Sequence, residues 1–167
     1  QAKREARTVV IPFITAGYPD ATATKKLVLA LSSAGCPIIE LGVPFSDPIA
    51  DGPVIQQSSL EALNKGITPR KILKLVAEVA PRCPSKIFLM TYMNPVIKYG
   101  FERFSRDARK AGVSGLIIPD LPLEEAGPYK KILNKHNLHL ILFVALTTGT
   151  DRAKMVADAT TAFVYFV

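Results

Sequence analysis

The sequence predicts an α/β fold: an incomplete (β/α)8 TIM barrel, with about six of the eight parallel strands present. Three observations lead there. Short apolar runs alternate with segments of helical period from the first residues to the last. Most of those runs are continuous in Ile, Val, Leu and Phe, as strands covered on both faces require. Finally, Ala16-Gly17-Tyr18-Pro19 follows the first run, where a dinucleotide-binding sheet would carry a glycine-rich fingerprint.

The runs that read as strands are Thr8 to Ala16, Pro37 to Val43, Lys86 to Tyr92, Gly115 to Pro119, His139 to Leu146 and Ala162 to Val167. Between them, helical period spans Ala23 to Ala34, Pro53 to Asn64, Pro69 to Ala80, Phe101 to Ala111, Glu124 to Lys135 and Asp151 to Ala159. Each connection is long enough for the crossover that parallel neighbours need. Asp20, Thr68 and Thr150 read as N-caps, and Gly35 and Gly112 as the left-handed residues that end helices. A repeat of about 25 to 30 residues suits a barrel of about 250. Phe163-Val164-Tyr165-Phe166-Val167 would make an uncovered apolar edge, so residues 1–167 are expected to form one partial domain lacking two C-terminal units.

Composition narrows the function. No apolar stretch approaches the ~20 residues of a membrane span, and the charged start from Gln1 to Arg7 has no apolar signal-peptide core. The net charge is +7, but the basic residues are scattered over helical faces rather than gathered in an aromatic-laced stripe, which argues against nucleic acid. Cys36 and Cys83 each adjoin a proline near a strand start and have no metal-ligand spacing.

Barrel enzymes place their chemistry at the C-terminal ends of strands and in the loops beyond. That rule selects Thr15 and Gly17, then Glu40, Ser46, Asp47 and Asp51, then Tyr92 and Asn94, then Asp120. Glu40 interrupts the apolar run Pro37 to Val43. Alternation puts it on one face with Ile38 and Gly42, opposite Ile39, Leu41 and Val43. A carboxyl on an interior face is costly to ionise, so its pKa rises toward the range of general acid–base work. The alternative is a structural glutamate paired with a buried cation, and no basic partner is expected on a neighbouring strand. Asp51 precedes a helix starting near Pro53 and reads equally well as an N-cap or a functional carboxylate. Tyr92-Met93-Asn94-Pro95 reads as a tight turn capped by Asn94, and Asp120 as a cap or a site residue. His136 and His139 flank the entry of strand five, the wrong end for catalysis, and read as structural.

Pro12 to Pro19 and Glu40-Leu41-Gly42-Val43-Pro44-Phe45-Ser46-Asp47-Pro48-Ile49-Ala50-Asp51-Gly52-Pro53-Val54-Ile55-Gln56 resemble signature segments of the tryptophan synthase α-subunit family. Met90 to Pro95 and Pro119-Asp120-Leu121-Pro122 match in order and spacing as well. The resemblance implies a lyase of tryptophan biosynthesis that cleaves indole-3-glycerol phosphate to indole and glyceraldehyde 3-phosphate without a cofactor or metal. It implies Glu40 as general acid and base and Asp51 as the anion on the indole N1–H. It further implies an indole pocket from Phe13, Met90, Tyr92, Ile117, Phe143 and Tyr165. Asp47, Pro48, Asn94 and Pro122 would face a pyridoxal-phosphate β-subunit. A cytoplasmic enzyme, or a plastid one in a plant, goes with that family.

Two departures accompany the resemblance. Ala145-Leu146-Thr147-Thr148 lacks the family's second proline after strand five, and the phosphate-binding loops of the last two units are absent. A non-catalytic barrel fragment that folds or docks on a β-subunit is therefore the competing expectation. Another phosphosugar barrel enzyme would place a lysine or metal ligands on inner strand faces, and none is expected here.

Overall fold

The computed structural model describes residues 8–167, so the charged Gln1 to Arg7 segment lies outside the described residues. Six strands, β1 (Phe13–Thr15), β2 (Ile38–Gly42), β3 (Lys86–Met90), β4 (Val113–Ile117), β5 (His139–Val144) and β6 (Val164–Phe166), form one sheet in strictly sequential order. Every pairing is parallel. Sequential order has no switch point, which separates this sheet from the doubly wound alternative.

Alternation along each strand divides the apolar residues between two layers. Ile39, Leu41, Ile87, Leu89, Leu116, Leu140 and Leu142 face the helices, packing with Ile72, Val76, Phe104 and Leu133. Each such side chain contributes roughly 1.5–3 kcal/mol by leaving water. Phe88, Ile117 and Ile141 form a second cluster on the opposite face, with Ile38, Met90, Phe143, Phe163 and Tyr165 against it. That second face is concave. In a flat sheet β2 and β6 would lie ~19 Å apart at ordinary strand spacing, yet the Tyr165 hydroxyl on β6 donates to Glu40 on β2 at 3.3 Å. The sheet therefore curls into the open arc of a barrel.

The helices are α1 (Ala21–Ser33), α2 (Pro53–Asn64), α3 (Pro69–Val79), α4 (Met93–Tyr99), α5 (Phe101–Ala111), α6 (Ala126–Lys135) and α7 (Thr150–Ala159). Asp20 accepts from the Ala23 N–H and Thr68 from the Lys71 N–H, as their positions foretell. Gly112 ends α5 in the left-handed conformation.

Several elements differ from their sequence reading. Thr150 is the first residue of α7 rather than its cap, a position held by Gly149 without a side-chain bond. The turn expected at Tyr92 to Pro95 is the start of α4. Asn94 sits inside its first turn, and the capping acceptor is Asp120, whose carboxylate takes the Met93 N–H at 3.0 and 3.1 Å. β4 begins two residues early because the β3–β4 register shifts between Ile87 and Phe88, leaving Ser114 out of the ladder. β1 is shorter than Thr8 to Ala16, since Pro12 offers only its carbonyl, to Glu40 N.

The inner layer also depends on a residue without a side chain. A Cβ at Gly115 would stand 2.6 Å from the Phe88 ring and 2.7 Å from the His139 carbonyl oxygen, whereas one on Gly127 in α6 would meet nothing. Gly115→Ala is expected to cost ~2 kcal/mol, and Gly127→Ala to stabilise by about 0.5 kcal/mol. Urea unfolding of the two variants checks both signs.

Candidate active site

The C-terminal ends of the strands surround a cleft of about 530 Å³. Phe13 from β1, Met90 at the end of β3, Phe143 on β5 and Tyr165 on β6 line it, with Asp51, Ile55 and Pro119 from the loops and α2. Phe143 and Tyr165 stack, ring centroids 4.9 Å apart, and present a flat wall. A Cβ at Gly42 would sit 2.4 Å from the Phe13 ring, so glycine at that β2 position lets the ring lie across the strand. An apolar slot with few polar groups suits a planar organic ligand.

Glu40 sits on the inner face of β2, in register between Phe13 and Phe88. It is only 3% exposed and lies behind the cleft wall, joined to it through Tyr165. Burial pushes its carboxyl from 4.5 up to about 7, while the hydrogen bond from Tyr165 pulls the other way. Lys86, which the sequence reading passes over, shares that face of β3 but opens the strand at its other end, in register with Ile38. Glu40 has no ion-pair partner among the described residues. Near neutral pH it is thus divided between acid and base forms, the condition for giving and taking a proton in one cycle.

Asp51 is not an N-cap. Gly52 holds that position before Pro53, with no side-chain capping bond. Burial raises the Asp51 pKa and the Tyr92 hydroxyl beside it lowers it. Tyr92 is buried, accepts the Ala50 N–H at 3.0 Å, and packs on Phe45 at 5.4 Å. Gln56 donates to the Asp51 carbonyl at 2.7 Å. Two anchors from different elements therefore hold a loop rich in proline, and they fix the carboxylate at the cleft edge.

The other site candidates separate. Tyr92 stands behind the Asp51 loop rather than in the wall, and Ile117 is fully buried in the layer beneath. Asp47 and Asn94, both exposed, meet in another groove of about 550 Å³ between the β2–α2 loop and α4. Pro48 lines a smaller neighbouring groove, and Pro122 is exposed before a 3₁₀ turn at Leu123–Glu125. Thr15 is spent on a buried hydrogen bond to Ser58. His136 pairs with Glu102, and His139 lies at the entry of β5. Ile55 and Pro119 also line the cleft, beyond the residues the sequence points to. Ile55 lies one helical turn past Asp51, and Pro119 lies two residues past the C-terminal end of β4. No group of His, Cys, Asp and Glu able to hold a metal occurs among the described residues.

The profile of the tryptophan synthase alpha chain family matches residues 1–167. A relative from Synechococcus sp. (strain CC9902), named tryptophan synthase alpha chain, is 44% identical over 167 residues, covering 100% of this chain and 62% of its own. One of the same name from Geobacter sulfurreducens is 46% identical over 167 residues and is 63% covered. Among solved structures, the tryptophan synthase subunit alpha of Legionella pneumophila str. Paris superposes with a TM-score of 0.94 at 35% identity, covering 99% of this chain and 64% of that one. The tryptophan synthase a2b2 complex of Pyrococcus furiosus gives 0.90 at 39%, covering 95% and 65%. The chain thus spans a little under two thirds of the length of these relatives.

The buried carboxyl generates a stability prediction. A folded-state pKa of about 7 means the folded chain holds a proton that the unfolded chain has released from about pH 4.5 upward. Stability is therefore full below that pH and falls as pH rises through 7. Glu40→Gln removes the penalty. The variant should match the parent at pH 4 and exceed it by about 1–3 kcal/mol at pH 8, read from urea midpoints at both pH values.

Proposed function

The chain belongs to the tryptophan synthase alpha chain family, and on that footing we propose that it carries the acid–base half of a site that cleaves indole-3-glycerol phosphate. The products are indole and glyceraldehyde 3-phosphate, in tryptophan biosynthesis. The observation that carries the reading is a single one: a buried glutamate without an ion-pair partner, its pKa pushed up to about 7 by burial, hydrogen-bonded to a tyrosine of an aromatic slot whose edge bears a second carboxylate.

In the proposed reaction the indole lies among Phe13, Met90, Phe143 and Tyr165, above Ile117. Protonated Glu40 gives its proton to ring C3. The positive charge that develops spreads to N1, where Asp51 accepts the N1–H hydrogen bond. Glu40, now ionised, takes the proton of the C3′ hydroxyl. The oxygen pair forms the aldehyde, the C3–C3′ bond breaks, and its electrons restore the indole. Glu40 ends protonated, so the cycle closes without a cofactor. A fixed anion at N1 helps most where cationic charge exists only on the way to the transition state. Tyr92 acts behind Asp51, holding its loop.

The two further units of the family's barrel would supply the phosphate-binding loops. The chain alone is therefore expected to turn over weakly. Asp47, Pro48, Asn94 and Pro122 are proposed to face a β-subunit. Among the described residues no helix is long and apolar enough to cross a membrane, and the proposed location is the cytoplasm, or a plastid in a plant. The span of under two thirds of its relatives also supports a second reading, a partner-docking fragment without activity of its own.

Indole release from indole-3-glycerol phosphate separates these readings when assayed for the chain and for a version extended by the family's remaining third. Catalysis by the extended protein should fall at least ~100-fold with Glu40→Gln and by a comparable factor with Asp51→Asn. Unchanged rates in Glu40→Gln would remove that residue from the chemistry.

A further inference from the structure

At the other end of the sheet, where the strands begin, lies a second cavity of about 230 Å³. It is walled by Lys86, Arg109, Ser114, Asn137 and His139 over a floor of Ile38 and Phe88. Lys86 and Met90 are the two ends of β3, so about 13 Å of strand separates this cavity from the cleft that holds Asp51.

Its chemistry is one-sided. Lys86 opens β3, Arg109 lies in the last turn of α5, and the imidazole of His139 opens β5. No acidic residue lines the cavity, and none of these three groups has a carboxylate within ion-pair distance among the described residues. Basic groups sharing a small concave space repel one another, and an anion there relieves the repulsion. Arg109 also complements the C-terminal end of the α5 dipole, but that role does not require Lys86 and His139 to share its cavity.

Backbone features shape the same place. The register shift between β3 and β4 frees Ser114 from the ladder beside the basic groups, and irregularities of this kind re-aim side chains. Asn137 adopts φ 54°, a left-handed conformation, two residues before β5 begins. The His139 ring stacks on Phe88 at 6.2 Å and its Nδ1 lies 3.3 Å from the Thr161 hydroxyl. That contact holds the ring in place and leaves Nε2 for another partner. Floor and volume bear on the ligand's size. At ~30 Å³ per water, the space holds several waters, more than a bare oxyanion fills. An apolar body fits the floor.

We propose that this cavity binds a small organic anion, its phosphate or carboxylate held by Lys86, Arg109 and His139 and its body resting on Phe88 and Ile38. The site is independent of the cleavage reaction at the opposite end.

NMR titration of the chain with phenyl phosphate, benzoate and inorganic phosphate, at ionic strength held constant with sodium chloride, tests this. Saturable shifts at Ser114, Asn137 and His139 are expected with phenyl phosphate or benzoate. Whichever of the two binds more tightly identifies the head group, and inorganic phosphate should bind more weakly than phenyl phosphate. Lys86→Gln and Arg109→Gln alter exposed side chains, so each should stay folded and each should weaken binding about tenfold. Shifts that never saturate, that centre on Asp51 and Met90 instead, or that saturate equally in both variants would overturn the assignment.

Discussion

The structure depends on a carboxyl group kept where water scarcely reaches. Glu40 is placed on the inner face by the two-residue period of β2, and burying it is tolerable because it stays largely protonated up to neutral pH and takes a hydrogen bond from Tyr165. That bond joins the second strand to the sixth. It is possible only because the sheet is curled, and the curl in turn gathers Phe13, Met90, Phe143 and Tyr165 around one cleft. Acidity, curvature and cleft are therefore consequences of one arrangement. A flat sheet with the same strands would have neither the slot nor the raised pKa.

Much of this was visible in the sequence, for local reasons. Continuous apolar strands, helical period between them and glycines after helices report on backbone and burial within a few residues, and they placed six strands and six of the seven helices. The alternation around Glu40 reported its face in the same way. What escaped was decided at long range. The turn expected at Tyr92 to Pro95 is the start of a helix because the Met93 N–H is capped by Asp120, twenty-seven residues on, and because proline is tolerated in a first turn. Asp51 was ambiguous between cap and functional group because its neighbour Tyr92 arrives from the turn between β3 and α4. The start of β4 moved because a register shift absorbs one residue, which no periodicity announces. Lys86 lies on the inner face at the N-terminal end of β3, outside the strand ends from which barrel chemistry is read.

The two ends of the sheet have opposite electrostatic character. At the C-terminal end, Asp51 at the edge of an aromatic slot and Glu40 behind its wall carry carboxyls whose pKa burial raises, suited to moving protons on a planar substrate. At the N-terminal end, basic groups surround a smaller hollow over the same inner aromatic layer. Phe88 and its neighbours separate the two, so one packed layer serves as the floor of both.

The most direct measurement is the titration of the Glu40 carboxyl itself, followed by the 13C shift of its side-chain carbon in the parent chain and in Tyr165→Phe. The account predicts a midpoint near 7 in the parent and a higher one in the variant, because the bond that favours the ionised form is gone. A midpoint near the ordinary 4.5, unmoved by the loss of the Tyr165 hydroxyl, would contradict it.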